Sequence, residues 1–121
     1  MNNILAVGVD IEDVARFRNL RKGSPFFLKS FTPRELAYCK RFADPFPRLA
    51  GKFCAKEAVI KCLSSLKLRV KKLEFKDIEL LNEEDGTPCV KLLKKIAHAP
   101  KLLISISHTK KLAIAFCVAV S

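Results

Sequence analysis

The segment that most limits the possible folds is Leu112–Val120, a run of nine apolar residues close to the C-terminus. It is far shorter than the roughly 20 residues that cross a bilayer, so it does not predict a membrane span. Its length and unbroken apolar character indicate a buried strand. Residues 102–107 alternate between apolar and polar side chains, and the polar segment 108–111 separates the two. We therefore predict a β-hairpin at this end of the chain.

The first half of the chain is predicted to form one strand followed by helices. Residues 4–9 are apolar and rich in branched side chains, which indicates a buried strand that ends at Asp10. Four helix signals follow: apolar residues three positions apart over 12–20, Ser24-Pro25 before 26–28, the capping box Thr32-Pro33-Arg34-Glu35 before a helix to about Arg41, and a long helix over about 47–63.

The second half of the chain changes to strand patterns. Residues 73–81 predict a strand whose alternation slips near Asp77, as it does at a β-bulge. Asp85-Gly86 predicts a tight hairpin turn. A return strand is expected over 87–92, and a short helix over 92–97.

The order of these elements, helices first and antiparallel strands last, indicates the α+β class. A chain of 121 residues, half of them hydrophobic, is long enough to bury one core and too short for two. We therefore expect a single domain over residues 1–121.

Composition narrows the possible functions. The chain carries 23 Lys and Arg residues against 12 Asp and Glu residues, a formal net charge of +11. This charge predicts a polyanionic partner: nucleic acid, a phosphate-rich cofactor, an acidic protein or an anionic membrane surface. Five cysteines without a CxxC pair favour free thiols in a reducing compartment, the cytoplasm. No basic residue precedes the first apolar run, so a secretory signal is not expected.

Glu57 interrupts the apolar stripe of the long predicted helix, with Lys61 one turn farther along the same face. A helical wheel places Arg48, Lys52 and Lys56 on the opposite face, which we predict to point outward. A carboxylate on an apolar face requires a partner, because burying a lone charge is costly. That partner is either Lys61, in an i,i+4 ion pair, or a metal ion beside a phosphate-binding lysine.

Asp10 and His108 leave similar alternatives open. Asp10 is either the N-cap of the predicted helix that follows it or a metal ligand at the end of a strand. Together with Glu57 it would offer the hard oxygen ligands that Mg²⁺ binds alongside water and phosphate. His108 lies in the segment 105–109, which is either a polar strand face running into a turn or part of a functional site.

Three segments, taken together and in this order, resemble the motifs of the small 4′-phosphopantetheinyl transferases. They are Val7-Gly8-Val9-Asp10-Ile11, Ala55-Lys56-Glu57-Ala58-Val59-Ile60-Lys61 and Ile104-Ser105-Ile106-Ser107-His108-Thr109. Supporting matches are Phe31-Thr32-Pro33-Arg34-Glu35-Leu36, Phe75-Lys76-Asp77-Ile78-Glu79 and Asp85-Gly86-Thr87-Pro88. The resemblance covers nearly the whole chain.

The resemblance implies an α+β fold, a reaction and a set of partners. Members of this family move 4′-phosphopantetheine from coenzyme A to a serine of apo-acyl carrier protein, which supports fatty acid biosynthesis. Adenosine 3′,5′-bisphosphate is the leaving group. The resemblance also implies a homotrimer with the coenzyme at each subunit boundary, and an acidic carrier protein as the partner.

The resemblance also implies roles for the matching residues. The residues implied to be catalytic are Asp10, Glu57, Lys61 and His108. Of these, Asp10 and Glu57 would bind Mg²⁺, and Lys61 would contact the phosphates or the leaving group. The coenzyme would contact Lys52, Lys61, His108 and Thr109. The carrier protein would dock on Arg16, Arg18 and Arg21.

Two details of this assignment stay open. The base that deprotonates the carrier serine is Glu57, a metal-bound water or His108. Family members commonly have a glycine just after the central helix, whereas 64–70 contains none. Lys67 and Arg69 are expected to supply side-chain contacts there instead.

The competing hypothesis is a basic RNA-binding domain, which the net charge alone would equally favour. The sequence has one tyrosine and no tryptophan, and it lacks an RNP-type aromatic motif on a strand. The coenzyme phosphates and an acidic carrier account for the same positive charge. No segment combines lysines on one helix face with bulky aromatics on the other. We therefore expect neither nucleic acid nor a membrane as partner.

Overall fold

The computed structural model describes residues 3–67 and 72–121. Its elements, in chain order, are β1 Ile4–Asp13, α1 Val14–Arg18, α2 Pro25–Ser30, α3 Pro33–Cys39, α4 Phe46–Ser65, a 3₁₀ turn Phe75–Asp77, β2 Ile78–Asn82, β3 Pro88–Leu92, β4 Lys101–His108 and β5 Leu112–Val120. The predicted α+β class is confirmed, because the helices occur together with antiparallel sheets.

The strands form two antiparallel sheets, one of three strands in the order β1-β5-β4 and one of β2 and β3. The predicted terminal hairpin is therefore present as β4 and β5, with β5 in the centre of the larger sheet. Along β5 the small residues face α4 and are fully buried, whereas large apolar ones such as Phe116 face away and are about half exposed. The apolar run is thus covered on one face only within the chain.

Helix α4 crosses the larger sheet diagonally. Near its start, Gly51 abuts Ile106 of β4. At its middle, the Cys54 thiol lies 3.4 Å from the Ala113 carbonyl oxygen of β5. Beyond Cys54, α4 passes over Gly8 of β1. Small residues at these crossings let the helix approach the sheet closely enough to position side chains from both.

We expect Gly8→Ala to destabilise the protein by about 3 kcal/mol, because overpacking at a rigid contact has this order of cost. A Cβ atom at Gly8 would lie 2.1 Å from the Ala58 carbonyl oxygen, so backbone must move. Gly86→Ala is the control, since a Cβ there meets nothing within 4 Å. Its positive φ of 90° should cost only about 1 kcal/mol. Equal urea midpoints for the two variants would show that β1 can shift away from α4.

Asp10 lies inside a strand, so its interpretation as a helix N-cap is wrong. The predicted strand over 4–9 continues to Asp13, and α1 begins only at Val14. The extension arises because β1 stays paired with β5 through Leu112. Backbone pairing over this length overrides the helical spacing of the apolar residues.

Two predictions in the second half of the chain are also wrong. The strand expected from residue 73 begins at Ile78, because Phe75–Asp77 forms a 3₁₀ turn. That turn is closed by the Glu74 amide, which donates to the Asp77 carboxylate at 2.8 Å. The short helix expected over 92–97 does not form, and the connection 93–100 consists of bends and turns.

The helix starts that rest on local capping are confirmed. The Ser24 hydroxyl accepts from the Phe26 amide at 3.3 Å at the start of α2. Thr32 and Glu35 form the predicted reciprocal capping box at the start of α3. The tight turn at Asp85-Gly86 joins β2 to β3.

Lys52 and Lys56 do not point outward as the helical wheel predicts. Both are buried, because α4 is covered by other elements on nearly every side. The Lys56 ammonium lies 2.6 Å from a Glu35 carboxylate oxygen and donates to two backbone carbonyls, of Ser30 and Phe75. All three of its donors are therefore satisfied, and the bonds tie α2, α3 and the 3₁₀ turn to α4.

The second residue after α4 adopts the backbone conformation that glycine favours. Lys67 has a φ of 52°, in the left-handed region that commonly terminates helices. The chain thus makes this turn without the glycine that family members commonly have. The expectation for Arg69 falls outside the described residues.

Candidate active site

Asp10 is the partly buried carboxylate at the centre of the candidate site. It faces α4, because alternate residues of β1 share a face and Asp10 pairs with the buried Ala115. Its Oδ1 accepts from the Lys61 ammonium at 3.1 Å. Its Oδ2 is buried, and no group in residues 3–67 and 72–121 hydrogen-bonds to it. An unpartnered buried carboxylate oxygen is costly, so this atom fits a site for a cation.

Glu57, on α4, shares the electrostatic environment of Asp10. Burial raises the pKa of Glu57, and the nearby Asp10 carboxylate raises that pKa further, whereas Lys61 lowers it. The Asp10 carboxylate thus opposes the ionisation of Glu57. A divalent cation between them would remove this repulsion.

The two carboxylates fit Mg²⁺ better than a metal held by protein side chains alone. Within the described part of the chain, no three His, Cys, Asp or Glu side chains cluster as metal ligands. Mg²⁺ characteristically takes one or two carboxylates and completes its shell with water and substrate phosphates.

Lys61 lies at the edge of this centre. Its ammonium donates to Asp10 and, also at 3.1 Å, to the backbone carbonyl of Val9. The structure therefore pairs Lys61 with Asp10 across the fold, and not with Glu57 one turn away. About half of the Lys61 side chain is exposed, so its ammonium can reach a bound ligand.

Arg16 and Arg18 both have carboxylate partners. Arg16 lies over the Phe53 ring and donates to both Glu12 oxygens, at 3.0 and 3.1 Å. Arg18 donates to both oxygens of Asp44, at 3.2 and 2.8 Å. The last residue predicted for docking, Arg21, is exposed just beyond α1.

His108 and Thr109 lie apart from the carboxylates within one chain. His108 pairs with Ala113, which pairs with Glu12, so two strand spacings or about 10 Å separate His108 from β1. Burial lowers the pKa of His108, and the charge of Arg48 lowers it further. Thr109 holds the β4–β5 turn, because its hydroxyl accepts from the amides of 111 and 112.

Lys52 is bonded within the core and is not among the groups around Asp10. Its ammonium donates at 2.6 Å to both the Leu80 carbonyl and the Asn82 side chain, and it lies 4.7 Å from the centre of the Tyr38 ring. Tyr38 and Asn82 also line a cavity of about 470 Å³ between the end of α3 and the β2–β3 turn. This cavity was not predicted from the sequence, in which only the predicted Asp85-Gly86 turn points to it.

All five cysteines are free, four of them buried. This confirms the prediction of free thiols. None of the helices in the described ranges is long and apolar enough to cross a membrane.

Comparison with known proteins identifies relatives over almost the whole chain. Residues 6–117 match the family model of the 4′-phosphopantetheinyl transferase superfamily. The holo-[acyl-carrier-protein] synthase of Thermodesulfovibrio yellowstonii is 44% identical over 117 residues, which cover 95% of this chain and 97% of the relative.

Solved structures give the same result. The holo-(acyl-carrier-protein) synthase of Bacillus anthracis, in complex with CoA (3′,5′-ADP), has a TM-score of 0.78 at 28% identity and covers 98% of this chain and 97% of its own. The Helicobacter pylori holo-[acyl-carrier-protein] synthase in complex with coenzyme A has a TM-score of 0.74 at 32% identity, with 95% and 99% covered. This chain therefore belongs to the holo-[acyl-carrier-protein] synthases of the 4′-phosphopantetheinyl transferase superfamily.

Proposed function

We propose that this protein transfers 4′-phosphopantetheine from coenzyme A to a serine of apo-acyl carrier protein, in support of fatty acid biosynthesis. The observation that carries the proposal is the centre formed by Asp10, Glu57 and Lys61. It combines an unpartnered buried carboxylate oxygen, a second carboxylate and a half-exposed ammonium. These are the groups needed to bind a metal and a pyrophosphate. The buried free thiols support a cytoplasmic location.

In this reaction the serine oxygen forms a bond to the phosphorus of phosphopantetheine, and the bond to adenosine 3′,5′-bisphosphate breaks. Mg²⁺, held by Asp10 and Glu57, would supply positive charge to the pyrophosphate. Lys61 would stabilise the charge that develops on the leaving phosphate. The serine proton passes to a base, and Glu57 is the candidate that adjoins Asp10 within one chain. His108, whose lowered pKa favours a neutral imidazole, would accept the proton only from a substrate that reaches from the Asp10 centre to His108.

The direct test is to incubate the protein with coenzyme A, Mg²⁺ and an apo-acyl carrier protein, and to measure the mass of the carrier. We expect a mass gain of one phosphopantetheine group, lost on chelation of the metal. An unchanged carrier mass would refute the proposal. A shift of labelled RNA by the protein in the same buffer would favour the RNA-binding alternative.

We further propose that the protein assembles as a homotrimer with each site at a subunit boundary. The sheet face opposite α4 carries a continuous set of exposed apolar residues: Leu5, Val7, Val9, Ile11, Leu103, Leu112, Ile114 and Phe116. A face of this extent is unusual on a monomer and characteristic of an interface. The separation of His108 from Asp10 supports the same arrangement, because a coenzyme bound between two copies would contact the Asp10 centre of one copy and His108 of the other.

We expect Phe116→Lys to dissociate the assembly into monomers and to lower the transfer rate. Phe116 is 44% exposed at the centre of this face, where a buried ammonium would lack a partner. Sedimentation velocity at micromolar concentration measures the outcome. Leu28→Lys is the control, because Leu28 is equally apolar and 63% exposed but lies on α2, off the sheet. A monomeric wild type, or an unchanged sedimentation coefficient for Phe116→Lys, would contradict the assembly.

We also propose that the carrier protein docks on the surface formed by Arg16, Arg18 and Arg21. Arg16 and Arg18 already bind Glu12 and Asp44, which neutralises part of their charge. Arg21 has no ion-pair partner among the residues described and offers its full charge to an acidic carrier.

We expect Arg21→Glu to raise the KM for the carrier about tenfold and to leave the KM for coenzyme A unchanged, because charge complementarity mainly sets encounter with the partner. The effect of Arg16→Glu on the carrier KM would be harder to interpret, because the new carboxylate would also repel Glu12. Steady-state kinetics from low to 0.5 M salt should show a flatter dependence of carrier KM for the variant. Lys95→Glu, in the exposed 93–100 connection, is the control for net charge. Equal carrier KM values for Arg21→Glu and wild type would remove Arg21 from the docking surface.

A further inference from the structure

We propose that Lys61 is the residue that couples metal binding to coenzyme binding. In the metal-free protein its ammonium serves as the counter-ion of Asp10. When metal and coenzyme bind together, it turns from Asp10 to the coenzyme phosphates. The inference rests on the proposed function, since it concerns the same site.

The position of the Lys61 ammonium is fixed by two bonds. It donates to Asp10 Oδ1 and to the Val9 carbonyl, each at 3.1 Å, although about half of the side chain is exposed. The other oxygen of Asp10 remains buried and without a partner in the described ranges. One carboxylate thus has an internal cation on one oxygen and an open position for an external cation on the other.

A charge count shows why the two ligands should depend on each other. Asp10, Glu57 and Lys61 together carry −1, from two carboxylates and one ammonium, and the charge of the nearby Glu12 is offset by Arg16. A pyrophosphate arriving alone meets this negative centre. A divalent cation arriving alone changes the net charge to +1 and lies beside the bound ammonium, which repels it. Bound together, the two ligands neutralise each other, and the ammonium gains a phosphate partner.

The exposure of Lys61 makes the movement possible. Its side chain leaves α4 on the solvent side, so rotation away from Asp10 breaks two hydrogen bonds and moves no core residue. The buried Lys52 and Lys56, in contrast, each bind several core groups and cannot turn in this way. Lys61 is the one lysine of α4 that combines a contact to Asp10 with this freedom.

The test measures binding and does not depend on turnover. Mn²⁺, which accepts the same oxygen ligands as Mg²⁺ and is visible by paramagnetic resonance, is titrated into the protein with and without coenzyme A. We expect Lys61→Met to bind Mn²⁺ alone about fivefold more tightly than wild type, because the competing ammonium is gone. We also expect the increase in Mn²⁺ affinity caused by coenzyme A to be about tenfold smaller in the variant than in wild type.

Three variants make the result specific. Lys61→Gln also removes the charge and should behave like Lys61→Met, which guards against a folding defect in either. Lys95→Met removes the same charge from the exposed 93–100 connection and should match wild type. Asp10→Asn should lose the Mn²⁺ signal, which locates the bound metal.

The proposal is overturned if both Lys61 variants bind Mn²⁺ no more tightly than wild type in the absence of coenzyme A. It is equally overturned if coenzyme A raises Mn²⁺ affinity by the same factor in the variants and in wild type. Either outcome leaves the proposed transfer reaction intact, because that reaction is tested separately by the mass gain of the carrier.

Discussion

Glu57→Gln is expected to lower the transfer rate by about a hundredfold or more while the protein stays folded. The substitution keeps the size of the side chain and removes the charge that would hold the metal against the pyrophosphate. Losing one preorganised electrostatic contact in an active site typically costs 10²–10³ in rate. Asp10→Asn should have an equal effect, because Asp10 contributes the other carboxylate and the unpartnered oxygen.

Glu57→Gln should not lose stability, and this result would separate a functional role of Glu57 from a structural one. Burial and Asp10 raise the pKa of Glu57, so the folded state favours the protonated form. Ionised Glu57 therefore opposes folding at neutral pH, and this penalty disappears as the pH falls below the ordinary value near 4.5. Metal-free Glu57→Gln should melt at or slightly above the wild-type temperature at pH 7, and the difference should vanish at pH 4.

Steady-state transfer to a carrier protein, together with thermal melting, checks both expectations. Glu74→Gln is the control, because Glu74 is an exposed acid of the 3₁₀ turn and glutamine can still accept its backbone hydrogen bond. Near-normal transfer by Glu57→Gln or Asp10→Asn at saturating Mg²⁺ would disprove the metal assignment.

The predictions that the structure confirms depend on short-range chemistry. A capping box needs only Thr32 and Glu35, and the hairpin turn needs only Asp85-Gly86. Each can therefore be predicted without knowledge of the fold. The strands β4 and β5 are similarly local, because their polarity patterns differ and a turn separates them. The local pattern singled out Asp10, Glu57 and Lys61 and left their roles open, and the resemblance implied a role for each. The structure brings these three residues into one centre.

Three of the wrong predictions, for Lys56, Lys52 and Asp10, share a different cause, which is partners distant in sequence. Lys56 appeared to be a surface residue because a helical wheel contains no information about Glu35, 21 positions earlier in the chain. Lys52 likewise finds its partners, Leu80 and Asn82, about 30 residues later. Asp10 lies within a strand because β5, at the other end of the chain, keeps β1 extended to Asp13.

Lys56→Met is expected to destabilise the protein by about 4 kcal/mol, the typical cost of removing one partner of a buried ion pair. Lys56 and Glu35 are both fully buried, and Glu35 also accepts hydrogen bonds from the Thr32 and Leu80 amides. Without the Lys56 ammonium, the Glu35 carboxylate would remain in the core without its ion-pair partner. For a domain of this size the melting temperature should fall by roughly 15 °C.

The reciprocal variant, Glu35→Gln, should show a distinctive pH dependence. Burial lowers the pKa of Lys56, and Glu35 opposes that fall. Without Glu35 the pKa of Lys56 falls further below its ordinary value of 10.5, so above that lowered pKa the unfolded chain binds more protons than the folded one. Stability of Glu35→Gln should therefore rise between pH 7 and pH 10, as linkage requires. Lys56→Met lacks this ammonium and should show a smaller rise, because only the buried Lys52, whose pKa burial also lowers, remains in the core.

The double variant Lys56→Met/Glu35→Gln tests whether the two side chains stabilise the fold as a pair. Its cost should be smaller than the sum of the two single costs, because the second substitution removes the charge that the first leaves unpaired. Urea unfolding of the four proteins at pH 7 and pH 10 measures both the coupling and its pH dependence. Additive costs, or a Glu35→Gln stability that stays flat with pH, would mean that Lys56 and Glu35 are not a coupled buried pair. Coupling of the predicted sign would establish that α4, which carries Glu57 and Lys61, is fixed to α3 by this pair of charges.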